Sequence, residues 1–381
     1  MPELHTIRSG NQNLKCGYTT GTCAALAAGG AAYLLLTGSA PEVLSILTPK
    51  GWEIAVTPDT CKMQADSAIC SVIKDAGDDP DATDGMSVFA SVSYAEEPGI
   101  TIDGGEGVGR VTRPGLDQPV GAAAINHVPR AMIRDQVEAV CQEAGYSGGL
   151  NVIISIPGGE EKAKHTFNPK LGIEGGLSVL GTSGIVEPMS QQALLDTLHL
   201  EIRQAAAEGA KNLILTPGNY GQDYLQSVSL DSLGVPVIKC SNFIGDALDM
   251  AAAEHFQAVL LVGHIGKLIK VAGGIMNTHS SVADCRMEVL TAYAARHGAS
   301  PELCQELLQA ATTNAGLDLL QDPELRAAVF QDLADATQKH LEYRVKDAYP
   351  IGAIVFSNET GELYRTSTAE TLIRAFRRNE P

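Results

Sequence analysis

Four stretches combine glycine with small hydroxyl and amide side chains, the residue types that let backbone N–H groups and short polar groups close on a ligand. They are Gly181-Thr182-Ser183-Gly184-Ile185-Val186-Glu187-Pro188-Met189-Ser190, Thr216-Pro217-Gly218-Asn219-Tyr220-Gly221, Lys239-Cys240-Ser241-Asn242-Phe243-Ile244-Gly245 and Gly263-His264-Ile265-Gly266-Lys267. Each follows a strand-like run, and most precede a helical one. Together they predict one crevice outside the carboxyl ends of a parallel sheet. Better-known signatures fail on spacing. Gly105-Glu106-Gly107-Val108-Gly109 looks like a dinucleotide loop, but Arg110 stands where its third glycine should be, and Pro114 follows too soon for a helix to open. Gly266-Lys267 looks like the end of a P-loop, yet Leu261 and Leu268 occupy the positions of its first glycine and its hydroxyl. No Gly-x-Ser-x-Gly elbow and no His-Glu-x-x-His pair occurs. The 8 cysteines form no Cys-x-x-Cys pair. They predict reduced, packed thiols rather than a zinc site or a disulfide scaffold, and no metal site is expected.

The elements that must position these loops fall into two groups. Residues 1–147 predict an α+β domain with a mainly antiparallel sheet. A helix at 21–36, capped by Thr19 or Thr20, precedes short Val-, Ile- and Ser-rich strands at 43–48, 53–57, 68–73, 87–94 and 99–102. A helix at 129–144 closes this part. The glycines of the 145–149 stretch mark the boundary. Residues 148–381 predict an α/β domain with a parallel sheet flanked by helices: strands at 151–156, 212–216, 235–240, 258–263 and 353–357 alternate with helical segments. The apolar run 23–36 is 14 residues, short of the roughly 20 that cross a bilayer. With 27 basic and 45 acidic residues, the formal charge of −18 argues against nucleic acid or an anionic membrane as partner. It points to a cytoplasmic protein, and a homo-oligomer is compatible with it. An anionic substrate would need cations gathered locally against that field.

Long, unusual strings run along the chain. They are Gly17-Tyr18-Thr19-Thr20-Gly21-Thr22-Cys23-Ala24-Ala25 and the acidic string from Cys70 to Gly85. They continue through Gly107 to Gly115 with Pro119-Val120-Gly121, Asn126 with Pro129-Arg130, the four loops, and Gly273-Gly274-Ile275-Met276-Asn277-Thr278-His279-Ser280-Ser281-Val282-Ala283-Asp284-Cys285-Arg286. In these strings the sequence resembles the CbiD family, cobalt-precorrin-5B C(1)-methyltransferases, from about residue 15 to 375. His127 departs from the pattern. The resemblance implies an enzyme of anaerobic cobalamin biosynthesis. It would use S-adenosylmethionine to methylate C(1) of a cobalt-bearing macrocycle, giving cobalt-precorrin-6A, with cobalt present only as part of the substrate. A non-catalytic carrier of corrinoid intermediates is the alternative.

Methyl transfer from a sulfonium to carbon asks the protein mainly to align two substrates and exclude water. Within that reading His264, His279 and Asp284 are the candidates for moving a proton. Gly181, Thr182, Ser183, Gly184, Glu187, Gly218, Asn219, Gly221, Cys240, Ser241 and Asn242 are the candidates for the methyl donor, with Glu187 on the ribose hydroxyls. The macrocycle carries many carboxylates, which Arg110, Arg113, Arg130, Lys267 and Lys270 could take. Tyr18, Thr19 and Thr20 of the opening signature are expected to contact the substrate as well.

Overall fold

A computed structural model describes residues 5–9 and 11–378. They divide into two compact units, which part between Gln191 and Gln192.

The first unit is built on the Thr20–Thr37 helix. Thr19 caps it, its hydroxyl accepting from the Thr22 N–H at 3.2 Å, and Gly38 ends it in the left-handed conformation. The run of Ala and Gly through this helix is apolar on every side, because every side is covered. Cys23, Ala24, Ala25, Ala27 and Ala28 are all fully buried. It is the one helix among the described residues long and apolar enough to cross a membrane, and 83% of it lies inside the protein. Small side chains let neighbours come close: a Cβ at Gly30 would sit 2.8 Å from the Cys70 sulfur. The helix packs with the His127–Ala144 helix on one face of a five-stranded sheet. Alternate residues of the Ser67–Ile73, Ser87–Ala95 and Gly149–Ser155 strands turn into that core, among them Cys70, Ala90 and Val152.

The strand order is Thr60–Met63, Ser67–Ile73, Ser87–Ala95, Gly149–Ser155, Gly99–Gly104. The pairing is antiparallel except where Gly149–Ser155 runs parallel to Gly99–Gly104. This corrects the expected boundary at residue 147. The strand expected to open the α/β domain is an inner strand of the first sheet. Its apolar, β-branched run reads the same in either setting, and only its partners decide. The Gly145–Gly149 turn is a helix C-cap, not a linker.

The second unit carries the expected parallel sheet. Its order is Val237–Lys239, Asn212–Thr216, Ala258–His264, Ile351–Ser357, with Gly361–Arg365 antiparallel at the edge. Helices cover both faces. Gln191–Ala207, Ile244–Ala253, Ile265–Ala272 and Pro323–Val345 contribute to one core, and Asn219–Ser227 and Ala369–Arg378 to the other. That double cover is why Ile351–Ser357 is buried along its whole length. The chain leaves Asn212–Thr216 toward one edge and Ala258–His264 toward the other. The topological switch point therefore lies between the carboxyl ends of these two strands.

Candidate functional site

Three of the four glycine-rich loops meet at the carboxyl ends of the second unit's parallel strands. Gly218 starts the Asn219–Ser227 helix, and Gly221 lies in its first turn. A Cβ at Gly221 would be 2.7 Å from Cβ of Thr216 and 3.0 Å from the Val262 carbonyl oxygen, so only glycine lets this helix seat on the sheet. At Gly218 a Cβ would find open space, its single neighbour being Lys267 Nζ at 3.9 Å. Cys240 donates its N–H to the Thr216 carbonyl at 2.9 Å. Its thiol is pushed up to about 12 by burial, an effect that outweighs the pull of Lys267. It is therefore packing and not a nucleophile. Ser241 adopts φ +52°, which turns its carbonyl toward Lys267 Nζ at 3.3 Å.

Lys267 rises from the Ile265–Ala272 helix and also donates to the Pro217 carbonyl, reaching across the switch point. Burial lowers its pKa, and Lys239 and Lys270 add to that shift. Lys239 donates to the Asn219 side-chain oxygen. Beneath the same turn, the hydroxyl oxygen of Thr216 is buried without a hydrogen-bond partner. Sequence reasoning placed Thr216 and Lys239 inside the loops but assigned them no role. They are register partners at the ends of adjacent strands, and their place as the last residues of two strand-like runs was the available signal.

His264 caps the Ile265–Ala272 helix. Its Nδ1 accepts from the Gly266 N–H at 3.0 Å, so the neutral ring carries its proton on Nε2. The ring lies edge-on to Phe356 and 6.0 Å from Tyr220, and burial lowers its pKa. His279 repeats the pattern on the loop beyond Gly274, its Nδ1 receiving the Ser281 N–H at 3.1 Å. Both rings present a donor rather than a base. Asp284 is held by Arg286 through two hydrogen bonds of 2.5 and 3.0 Å, and this keeps its carboxyl below the usual range. Lys270 is buried and donates to the carbonyls of Thr278 at 3.1 Å and Ala283 at 2.8 Å, with Asp284 at 3.7 Å. It is an internal strut of the 277–284 loop. Asn242 continues the brace, its carbonyl accepting from the Thr278 N–H at 2.9 Å.

The fourth loop belongs to the first unit. Ile185–Val186 pairs with Gly17–Tyr18, and the loop closes over the start of the Thr20–Thr37 helix. The Gly184 carbonyl accepts from the Thr19 N–H and the Thr22 hydroxyl, and the Leu180 carbonyl from the Gly21 N–H and the Thr20 hydroxyl. Gly181 has φ +134° and faces the Thr19 side chain. The Ser183 carbonyl accepts from the Lys50 N–H at 3.0 Å, Thr182 is exposed, and Glu187 is paired with Lys50. Tyr18 donates its hydroxyl to the Ile73 carbonyl at 2.8 Å. Tyr18, Thr19 and Thr20 are buried and serve this closure.

Arg110 and Arg130 are likewise engaged. Arg110 forms a two-pronged pair with Asp103, at 2.7 and 3.1 Å, and reaches the Gly104 carbonyl at 2.8 Å. Arg130 donates to the carbonyls of Ile125 and Ile102, both at 2.8 Å, and to that of Ala123 at 3.4 Å. Arg113 is exposed, its stem against Gly172. The acidic string serves the fold too. Lys74, 2% exposed, pairs with Asp81 at 2.6 Å, and the carboxylates of Asp75 and Asp84 accept backbone N–H groups of Gly77 and Ala76. Among the described residues no cluster of His, Cys, Asp and Glu could hold a metal.

The second unit is thus an open α/β fold covered on both faces, its polar loops and lysines gathered at the switch point. The CbiD family model matches residues 7–188, ending close to the boundary between the units, and the model of the CbiD C-terminal domain matches residues 277–367. The cobalt-precorrin-5B C(1)-methyltransferase of Ruminiclostridium cellulolyticum is 44% identical over 380 residues, covering 98% of this chain and 97% of that protein. The protein of the same name from Alkaliphilus metalliredigens is 43% identical over 371 residues, covering 97% of each. A crystal structure of the cobalamin biosynthesis protein cbiD from Archaeoglobus fulgidus is 28% identical, covers 70% of this chain and 83% of that one, and superposes with a TM-score of 0.38. The chain belongs to the CbiD family.

Proposed function

We propose that the protein is an S-adenosylmethionine-dependent C-methyltransferase that methylates C(1) of cobalt-precorrin-5B, giving cobalt-precorrin-6A in anaerobic cobalamin biosynthesis in the cytoplasm. The observation that carries this reading is end-to-end kinship, at 44% identity, to a protein of that name. The residues present fit a polar donor molecule. The open face of Gly218 and the spare N–H groups of Lys239 and Lys267 leave room and hydrogen-bonding capacity at the strand ends. When bound, S-adenosylmethionine supplies an electrophilic methyl group on a sulfonium.

The displacement needs no protein nucleophile, since the macrocycle carbon attacks. The inert Cys240 thiol agrees with that. What this chain supplies is placement: loops fixed by the Lys267 and Lys270 struts, and Nε2–H donors on His264 and His279. Glu187, already paired with Lys50, is left out of the crevice set in this reading. Of the cations expected to meet the macrocycle's carboxylates, Arg110, Arg130 and Lys270 are engaged by the protein itself, Lys267 spends two N–H groups on the Pro217 and Ser241 carbonyls and keeps a third, and Arg113 is exposed. The relatives' shared name lends nothing to a carrier role. The test is incubation with S-adenosyl-[methyl-13C]methionine and cobalt-precorrin-5B. The expected result is one labelled methyl at C(1), located by NMR. Macrocycle binding without label transfer would refute the assignment and revive the carrier.

A further inference from the structure

Lys239 ends the Val237–Lys239 strand and Lys267 rises from the helix that follows Ala258–His264; these two strands flank Asn212–Thr216, and each lysine grips one side of the turn after it. Lys267 Nζ holds the Pro217 carbonyl, and Lys239 Nζ holds the Asn219 side-chain oxygen. Gly218 lies between them with a bare face, its Cβ position 3.9 Å from Lys267 Nζ. In a chain with 45 acidic residues, neither lysine has a carboxylate within 4.0 Å among the described residues. An ammonium has three N–H groups. Two of those on Lys267 go to Pro217 and Ser241, and one on Lys239 goes to Asn219, so both cations keep donors to spare. The turn also opens the Asn219–Ser227 helix, whose N-cap, Gly218, has no side-chain cap. Its positive pole adds to the two charges. Beneath that first turn the Cβ and methyl carbon of Thr216 face the Gly221 position, so the turn sits on apolar atoms. Two like charges gripping one turn are costly to hold together with no counter-charge beside them. A bound anion removes that cost.

We propose that Lys239, Lys267 and the Gly218 turn form a carboxylate-binding subsite at the switch point of the second unit; this rests on reading that crevice as the methyl-transfer site. The shared chemistry is a carboxylate. Its two sources are the amino-acid end of the methyl donor and an acidic side chain of the macrocycle.

The structure offers a variant that fills the subsite without disturbing the fold. Gly218 has φ −179°, which any residue adopts, and its Cβ position is open. Gly218→Asp therefore places an internal carboxylate beside Lys267 and supplies a good helix N-cap. Its melting temperature should equal or exceed that of the wild type while ligand affinity falls. Lys239→Gln/Lys267→Gln is the companion variant. Four ligands are titrated calorimetrically: S-adenosylhomocysteine, 5′-methylthioadenosine (which lacks the amino-acid end), a polycarboxylate cobalt corrinoid, and its methyl ester. If the donor is the source, both variants bind S-adenosylhomocysteine at least about tenfold more weakly, about 1.4 kcal/mol, with methylthioadenosine unchanged. If the macrocycle is the source, the acid corrinoid loses that affinity and the ester does not. All four ligands binding within about twofold of wild type in both variants would overturn the subsite. If wild-type protein binds neither S-adenosylhomocysteine nor corrinoid, the functional reading fails instead. Tricarballylate then decides the subsite alone: it must raise the melting temperature of the wild type but not of Gly218→Asp, and no rise in the wild type removes the proposal.

Discussion

Lys270→Met separates two roles for one lysine. In sequence Lys270 is a cation fit for a substrate carboxylate; in the structure it is 3% exposed and ties the carbonyls of Thr278 and Ala283 to the Ile265–Ala272 helix. Hydrogen bonds to a charged group contribute about 1.5–3 kcal/mol each. Two of them set a gross loss of roughly 3–6 kcal/mol. The Asp284 contact, at 3.7 Å with that side chain 55% exposed, adds almost nothing. Methionine keeps most of the stem's packing, so no cavity term enters. Water reaching the carbonyl of the half-buried Ala283 once the lysine is gone offsets some of the loss. About 3 kcal/mol remains, a factor of about one hundred in the local opening equilibrium. Hydrogen exchange by mass spectrometry should show the Thr278 amide, bonded to the Asn242 carbonyl, and the Gly245 amide, bonded to the Met276 carbonyl, exchanging about a hundredfold faster. Lys270→Arg should recover part of that protection. Exchange unchanged in Lys270→Met, with corrinoid affinity lost, would refute the strut and make Lys270 a substrate ligand.

Other outcomes follow from the same geometry. Burial depresses the His264 pKa, so the folded protein resists protonation there, and that share of stability is present above the ordinary histidine value. It is lost progressively as pH falls below about 6.5 toward the lower folded value. His264→Asn keeps a helix cap and removes the titration, so urea denaturation at several pH values should show a shallower decline below about 6.5. Gly77 has φ +65°, and a Cβ there would collide with the Lys15 carbonyl. Gly77→Ala should cost more than about 3 kcal/mol, read as a large drop in urea midpoint, and a midpoint near wild type would mean the 75–84 loop is not held against Lys15–Gly17. Arg113→Ala should weaken corrinoid binding in titration while leaving S-adenosylhomocysteine binding unchanged; equal corrinoid affinity would remove Arg113 from the substrate set.

Local signals made most elements legible. The Asn212–Thr216 strand, the Ala258–His264 strand and the Thr20–Thr37 helix lie where apolar runs and capping residues put them. Short elements escaped. Thr60–Met63 and Gly361–Arg365 are edge strands with too few apolar residues for a period to show, and the Asn219–Ser227 helix hides behind Pro217-Gly218, which reads as loop. The candidate site was legible as loop strings but not as a grouping. Gly181–Glu187 shares its composition with the other three loops, and composition says nothing about which strand a loop will meet. The bonds between Leu180 and Gly21 and between Gly184 and Thr22 join residues about 160 apart in sequence, beyond any local pattern.

By itself the sequence determined the alternation of strand and helix in the second unit, the apolar core helix, and the long signature strings of the CbiD family. These are properties of residue order, carried by periodicity, capping and side-chain type. Only the tertiary structure decided which cations are spent. Arg110, Arg130 and Lys270 look like binding residues in sequence, yet each donates to groups within its own unit, because a buried carbonyl or carboxylate must find a donor and a long basic side chain supplies one. Lys239 and Lys267 also donate to oxygens of their own unit, but they keep N–H groups to spare and meet no carboxylate. Charge type is written in the chain, but whether a charge is satisfied depends on what folding brings within a few ångströms of it.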